Sequence, residues 1–260
     1  MTLSPKLYPK KLTTTFIIAA SLLMNSAKAD TLLGVYAGAQ MWAMESSGSV
    51  STSADDLLSF TYDDERQGSF YVALEHFVPL VPNAKIIVTS LETDGNTTIN
   101  RNFIFAGETF AVNAELQNTL DLTSTDHILY YEILDNDLIS IDLGLNAKKL
   151  EGSITVMDKL SNTSSEQEMN GFIPMLYSRA EIGIPATDIS LFVEGSYLAI
   201  DDNNVMDVNA ALEYRVIDSI AMNMAFQLGY RSIQAELDDI DNTYADIDFT
   251  GVYAGVEVHF

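Results

Sequence analysis

Three histidines, His76, His127 and His259, are the only side chains in this chain that ordinarily titrate near neutrality, and there is no cysteine. Thiol chemistry and a disulfide framework are therefore absent. A catalytic zinc needs several histidine or carboxylate ligands converging on one point, and a general base needs a partner within hydrogen-bond reach. The chain has no His-x-x-x-His or H-E-x-x-H spacing, and Asp126-His127 is the only adjacent Asp–His pair. Acidic stretches such as Asp238-Asp-Ile-Asp241 lack the alternating acids, glycine and distal glutamate of an EF-hand. No catalytic, cofactor-binding or metal residue is assigned, no cofactor is expected, and the chain does not read as an enzyme.

A larger set of charges calls for a different kind of positioning. Glu75, Glu132, Asp142, Lys148, Arg179, Glu181, Glu194, Glu213, Arg215, Arg231, Glu257 and His259 each stand in a stretch that alternates apolar and polar residues. A period of two places alternate side chains on opposite faces of a strand. These charges thus share one face, and aliphatic residues occupy the other.

The C-terminal stretch shows the pattern most plainly. Val252, Ala254, Val256, Val258 and Phe260 alternate with Tyr253, Gly255, Glu257 and His259, and the given sequence stops on the aromatic residue. Nine earlier stretches agree with it: Leu33 to Trp42, Gly68 to Val78, Ala84 to Leu91, Leu120 to Leu134, Ile139 to Lys148, Gly171 to Ile184, Ile189 to Ala199, Met206 to Val216 and Ile220 to Arg231. Between them lie short turns such as Pro79-Leu-Val-Pro82 and Asp135-Asn-Asp137, and longer polar stretches over 45–67, 151–170 and 234–245 that read as exposed loops. Residues 92–118 are ambiguous: Phe103-Ile-Phe105 fits a short strand or a buried loop anchor. Trp42 falls in the inward phase, so it faces the lumen or strand one carries a bulge.

Ten such strands, apolar outward and polar inward, describe an all-β fold: a closed antiparallel up-and-down transmembrane barrel. Short turns at one end, longer loops at the other and an even strand count fit the outer-membrane type, with both termini periplasmic. Aromatic residues of the outward phase fall in two groups. Phe70, Phe172, Tyr197 and Tyr230 lie toward one interface, and Tyr131, Tyr214 and Phe260 toward the other. A ten-stranded barrel invites comparison with the omptin proteases, which need an Asp–His pair and paired aspartates at the outer rim. The height expected for Asp126-His127 does not suit that role.

The first 29 residues fit a secretory signal: Lys6, Lys10 and Lys11, an apolar run from Leu12 to Met24, then Ala27-Lys-Ala29. The barrel domain is expected over 30–260. The formal charge of the whole chain is −24; removal of residues 1–29 takes four lysines and no acids, leaving 9 basic against 37 acidic residues. That balance argues against nucleic acid as a partner.

Glu75-His-Phe-Val-Pro-Leu-Val-Pro-Asn83 resembles the EHPxPLLPN-like turn of a family of small Gram-negative outer-membrane barrel proteins of unassigned function. Leu33-Gly-Val-Tyr-Ala-Gly-Ala39, Leu129-Tyr-Tyr-Glu-Ile-Leu-Asp-Asn136 with Asp142-Leu-Gly144, Pro174-Met-Leu-Tyr177 and the terminal aromatic strand match other motifs of that family. Phe77 departs from it, standing where proline is usual. The resemblance implies an integral outer-membrane protein and supplies no activity. The expected role is structural or surface-interacting, with a lumen filled by paired charges; a narrow cation-preferring, porin-like channel is the alternative and an outer-membrane hydrolase a more remote one. Expected partners are outer-membrane lipid and lipopolysaccharide, the barrel assembly machinery through the Phe260 strand, and periplasmic chaperones, with the protein a monomer.

Overall fold

The computed structural model describes residues 33–260 apart from 54, 55, 137 and 220. The expected signal sequence and its Ala27-Lys-Ala29 site lie outside the described residues, as do Asp55, Asp137 and Ile220 of the expected loops, turns and strands. Among the described residues thirteen strands follow one another: β1 (Leu33–Ser51), β2 (Leu58–Tyr62), β3 (Glu65–His76), β4 (Asn83–Thr98), β5 (Phe103–Phe105), β6 (Glu108–Phe110), β7 (Glu115–Asp135), β8 (Ile139–Asp158), β9 (Ser164–Gly183), β10 (Ile189–Ile200), β11 (Asn203–Asp218), β12 (Asn223–Ile240) and β13 (Thr243–His259).

These close into an antiparallel ring with ten wall positions. From β13 back to β8 each strand pairs with its predecessor, β7 pairs with β4, and β1 pairs with β13. The tenth position is shared. β3 lies between β1 and β4 at one level, and β2 takes over between the same two neighbours further on (Gly48↔Phe60, Thr61↔Asn96). The last residue completes closure: Val35 N–H donates to Phe260 O at 3.1 Å and Phe260 N–H to Val35 O at 2.9 Å. A ring leaves no open edge.

The end of the ring that carries Leu33 and Phe260 is called the terminal end here, and the other the far end. In the terminal half the outward residues are apolar and the inward ones polar. On β8, Leu143 and Leu145 are exposed while Asp142, Asn146 and Lys148 are buried. Toward the far end the parity is unchanged but the chemistry swaps. Ile154 and Val156, in the same phase as Lys148, are 0% exposed, while Glu151 faces out. The same exchange separates Leu228 and Tyr230, outward on β12, from Ile233 and Leu237, inward. An apolar core inside the far half, built from Trp42, Met44, Leu116, Leu120, Ile154 and Phe249 among others, is the result.

This exchange corrects three expected loops. Residues 45–67 continue β1, add β2 and open β3; residues 151–170 are mostly β8 and β9; residues 234–245 are mostly β12 and β13. The expected contrast in loop length between the ends shrinks accordingly. β10 and β11 are joined by Asp201 and Asp202, and β12 and β13 by Asp241 and Asn242, whose φ values of 54° and 60° suit a tight hairpin turn. Long strands replace loops because apolar inward positions repay ordering the backbone even where the outward face is acidic. Phe70, Phe172 and Tyr230 are exposed as expected, but the strands run on past them. Trp42 faces the lumen, resolving its phase in favour of the first alternative.

Candidate functional site

The lumen has three layers. At the far end, residues 99–114 fold over the mouth. Within them β5 and β6 form a hairpin with Phe103 opposite Phe110, so Phe103-Ile-Phe105 is a strand and a buried anchor together. Phe103 stacks near Phe105 and Phe110 with ring centroids 6.2 and 6.4 Å apart. The hairpin tip, Ala106-Gly107, takes up positive φ. It is fastened on both sides: Ala106 N–H donates to Thr52 Oγ1 at 3.0 Å, and Ser165 Oγ donates to Ala106 O at 3.2 Å.

The middle layer is a network of charges drawn from opposite walls. Lys148 Nζ lies 2.8 Å from Asp126 and 2.9 Å from Asp207 and also donates to Ser124 Oγ. Arg231 grips Asp207 through Nε at 3.1 Å and Nη2 at 2.8 Å, and donates to Thr89 from Nη1. Below this, Glu194 accepts from Lys85 at 2.6 Å and Tyr177 at 3.0 Å and meets Arg179 at 3.4 Å; Arg179 also pairs with Glu181 at 2.5 Å. Buried charges persist only when paired and hydrogen-bonded. The space left among these groups is a cavity of about 30 Å³, room for about one water.

The third layer is open. A vestibule of about 760 Å³ occupies the terminal end, bounded by Asp135, Asn136 and Leu138, by residues 183–189 and by inward residues of ten strands. Glu75, Glu132, Asp142, Glu213 and Glu257 line it, with Tyr36, Tyr71 and Tyr130 between them. Tyr130 Oη donates to Glu75 at 2.7 Å and Tyr71 Oη to Glu257 at 2.5 Å. Asn83 Nδ2 donates to Glu132 at 3.4 Å and Gln227 Nε2 to Glu213 at 3.1 Å. His259 stacks face to face on Tyr36, with centroids 4.0 Å apart.

Each of the twelve inward charges read from the sequence lies on the lumen side or at its rim, Glu132 and Arg215 being the most exposed. Lys85 escaped that reading because it stands next to Ile86-Ile-Val88, an unbroken apolar run; its shared parity with Asn83 and Thr89 is the signal that places it inside. Asp126 and Asp207 also take the inward phase of their strands, but the pairing that joins them through Lys148 is invisible at sequence separations of 22 and 59.

The three histidines are not brought together. His259 is in the vestibule, His76 lies at the β3 turn where its backbone N–H donates to Asn83 Oδ1, and His127 is exposed on the outer wall. Asp126 and His127 point to opposite faces of β7, so the adjacent pair forms no dyad. No group of three His, Asp or Glu side chains close enough to hold a metal exists among the described residues. In the acidic far-end turns the groups cap backbone instead: Asp241 Oδ2 accepts from Asn170 N–H at 2.8 Å, and Asn203 Oδ1 from Asp238 N–H at 2.9 Å.

No protein-family model matches the chain, and no curated protein matches it. Among solved structures it is similar to the outer membrane protease OmpT from Escherichia coli, with TM-score 0.56 and 9% identity over 90% of this chain and 99% of that one. Weaker likenesses are to the transport unit of the autotransporter AIDA-I from Escherichia coli (TM-score 0.43, 8% identity, 93% and 94% covered) and to a Pseudomonas aeruginosa FadL homologue (0.35, 6%, 88% and 90%). At such identities the OmpT likeness speaks to fold. The chain is an all-β closed barrel of about ten wall strands, similar in fold to outer-membrane barrels.

Proposed function

We propose that this chain is an integral protein of the Gram-negative outer membrane whose sealed barrel serves a structural or surface-presenting role. The observation that carries this reading is the exchange of faces along the wall. A belt of exposed apolar side chains, including Phe172 at 63%, Leu145 at 65% and Leu176 at 67%, girds the terminal half. In water such a belt would be costly; against lipid tails it is favourable. Beyond the belt the outer wall is polar and the interior apolar, which suits a part standing in water. With this orientation both termini and the vestibule face the periplasm.

The closed lumen is supported by the apolar far-end core and the paired charges beneath it. A non-enzymatic role is supported by the separation of Asp126 from His127. On this reading the partners are outer-membrane lipid, lipopolysaccharide around the acidic upper wall, periplasmic chaperones during transit and the assembly machinery, which would engage β13 and the Phe260 that follows it. The folded protein is taken as a monomer. The acidic vestibule favours a second reading, a narrow cation-preferring channel.

Two measurements on the purified protein test these readings. Folded and boiled samples from the outer-membrane fraction should migrate differently on a gel, and planar bilayers should stay electrically silent. Reproducible single-channel steps would replace the sealed barrel with the channel. Recovery of the folded protein from the soluble fraction without detergent would remove the membrane assignment.

A further inference from the structure

The vestibule carries a charge imbalance that the barrel's own side chains leave open. Lys85 and Arg179, the cations at its floor, are both engaged by Glu194, and Arg179 also by Glu181. Arg215 at the rim pairs with Asp218 at 3.8 Å, and His259 is stacked on Tyr36. Glu75, Glu132, Asp142, Glu213 and Glu257 have no ion-pair partner among the described residues. Asp142 stands apart even from these. It is 5% exposed, it lines the vestibule, and its Oδ1 meets no hydrogen-bond donor among the described residues. A buried acceptor with no partner calls for a donor from outside the chain.

The shape of the site narrows the class of that donor. A volume of about 760 Å³ is ample for a small organic molecule. A calcium ion would need roughly six to eight oxygens around one point, and these carboxylates are not gathered that way among the described residues. They are dispersed over β3, β7, β8, β11 and β13, with phenol rings between them. Carboxylates spread over five strands, with only Glu132 and Asp142 directly opposite one another, match several ammonium groups spaced along a flexible chain, and aromatic faces accept both methylenes and cationic charge. We propose that the vestibule binds linear polyamines, with Asp142 as the buried anchor and Glu75 and Glu257 as further charge partners.

Calorimetric titration of the full chain, folded in detergent, with spermidine at constant ionic strength tests this. One saturable event is expected, weakened about tenfold or more by Asp142→Asn and by Glu257→Gln. The far-end double variant Asp238→Asn/Asp239→Asn should bind like the parent. Equal binding by the parent and Asp142→Asn, or loss of binding only in the far-end variant, overturns the assignment. So does displacement of spermidine by magnesium in proportion to charge alone, which would mean diffuse counterion attraction. A lysine-rich peptide that binds tighter than spermidine with the same Asp142 dependence would replace the polyamine by a polypeptide. Should Asp142→Asn fail the gel-mobility test of folding, Glu75→Gln and Glu257→Gln, in the open part of the vestibule, decide the matter.

Discussion

The ring of Tyr71 occupies the space that any side chain at position 38 would need: a Cβ on Gly38 would lie 2.1 Å from Tyr71 Cζ. The missing side chain on β1 lets the phenol on β3 lie across the lumen, where it lines both the small central cavity and the vestibule. There it donates to Glu257, accepts from Gln227 at 3.2 Å and lies under Lys85, whose Nζ is 4.7 Å from the ring centroid.

Gly38→Ala must therefore push the ring aside. Overpacking of this kind costs roughly 1–3 kcal/mol. Urea unfolding followed by the emission of Trp42, the only tryptophan, should show the loss, and an unchanged midpoint would mean that the ring has somewhere else to go.

Lys148 is 1% exposed between Asp126 and Asp207. Lys148→Met leaves Asp126 without its cation and should cost about 3–5 kcal/mol, the usual penalty for an orphaned buried charge. Adding Asp126→Asn should restore much of that loss, because Asp207 keeps Arg231. Equilibrium unfolding of both variants gives the comparison; no recovery in the double variant would deny the pairing.

Phe103 is fully buried at the heart of the far-end hairpin. Phe103→Ala should destabilise this layer by about 3–5 kcal/mol through the cavity it leaves. Limited proteolysis should then cut near Ala106-Gly107 while the rest of the barrel keeps its folded gel mobility. Protection equal to that of the parent would show that the Thr52 and Ser165 contacts hold the hairpin alone.

Asp158 is the last residue of β8, at the entry to the β8–β9 turn and beyond the apolar belt. Leu160 N–H and Ser161 Oγ donate to its two oxygens at 2.9 and 2.7 Å, and these bonds hold its carboxyl below its ordinary value of 3.8. A group held low stabilises the turn fully above its unfolded pKa and loses that contribution as pH falls through the folded pKa. Carboxyl NMR should place the Asp158 midpoint below 3.8, and amide exchange at Leu160 should quicken on acidification past it. A midpoint at or above 3.8 would contradict the two bonds.

The terminal half of the barrel was legible in the sequence because its two faces differ in the usual sense: Leu143 and Leu145 against Asp142 and Lys148 leave one register open. The far half used the same parity with opposite chemistry. Ile154 and Val156 amid Ser153, Thr155 and Glu151 read as a polar stretch when apolar residues are expected outside, so the strand there resembles a loop in sequence. The vestibule was half legible. Parity placed Glu75, Glu213 and Glu257 inside, but which carboxylates find cations depends on cross-lumen contacts such as Lys85 with Glu194, 109 residues apart, and periodicity carries no information about those.

The length of β9 has a consequence for presentation. From Phe172 at the belt back to Ser164 the strand climbs, at about 3.3 Å per residue and a tilt near 40°, roughly 20 Å along the barrel axis. Its neighbours rise with it around a solid apolar filling, so the tips rest on a stiff pedestal. If the barrel sits in the outer membrane as proposed, a peptide epitope spliced at Ser161 needs no spacer to stand clear of the lipid headgroups, and an antibody should reach it on intact cells.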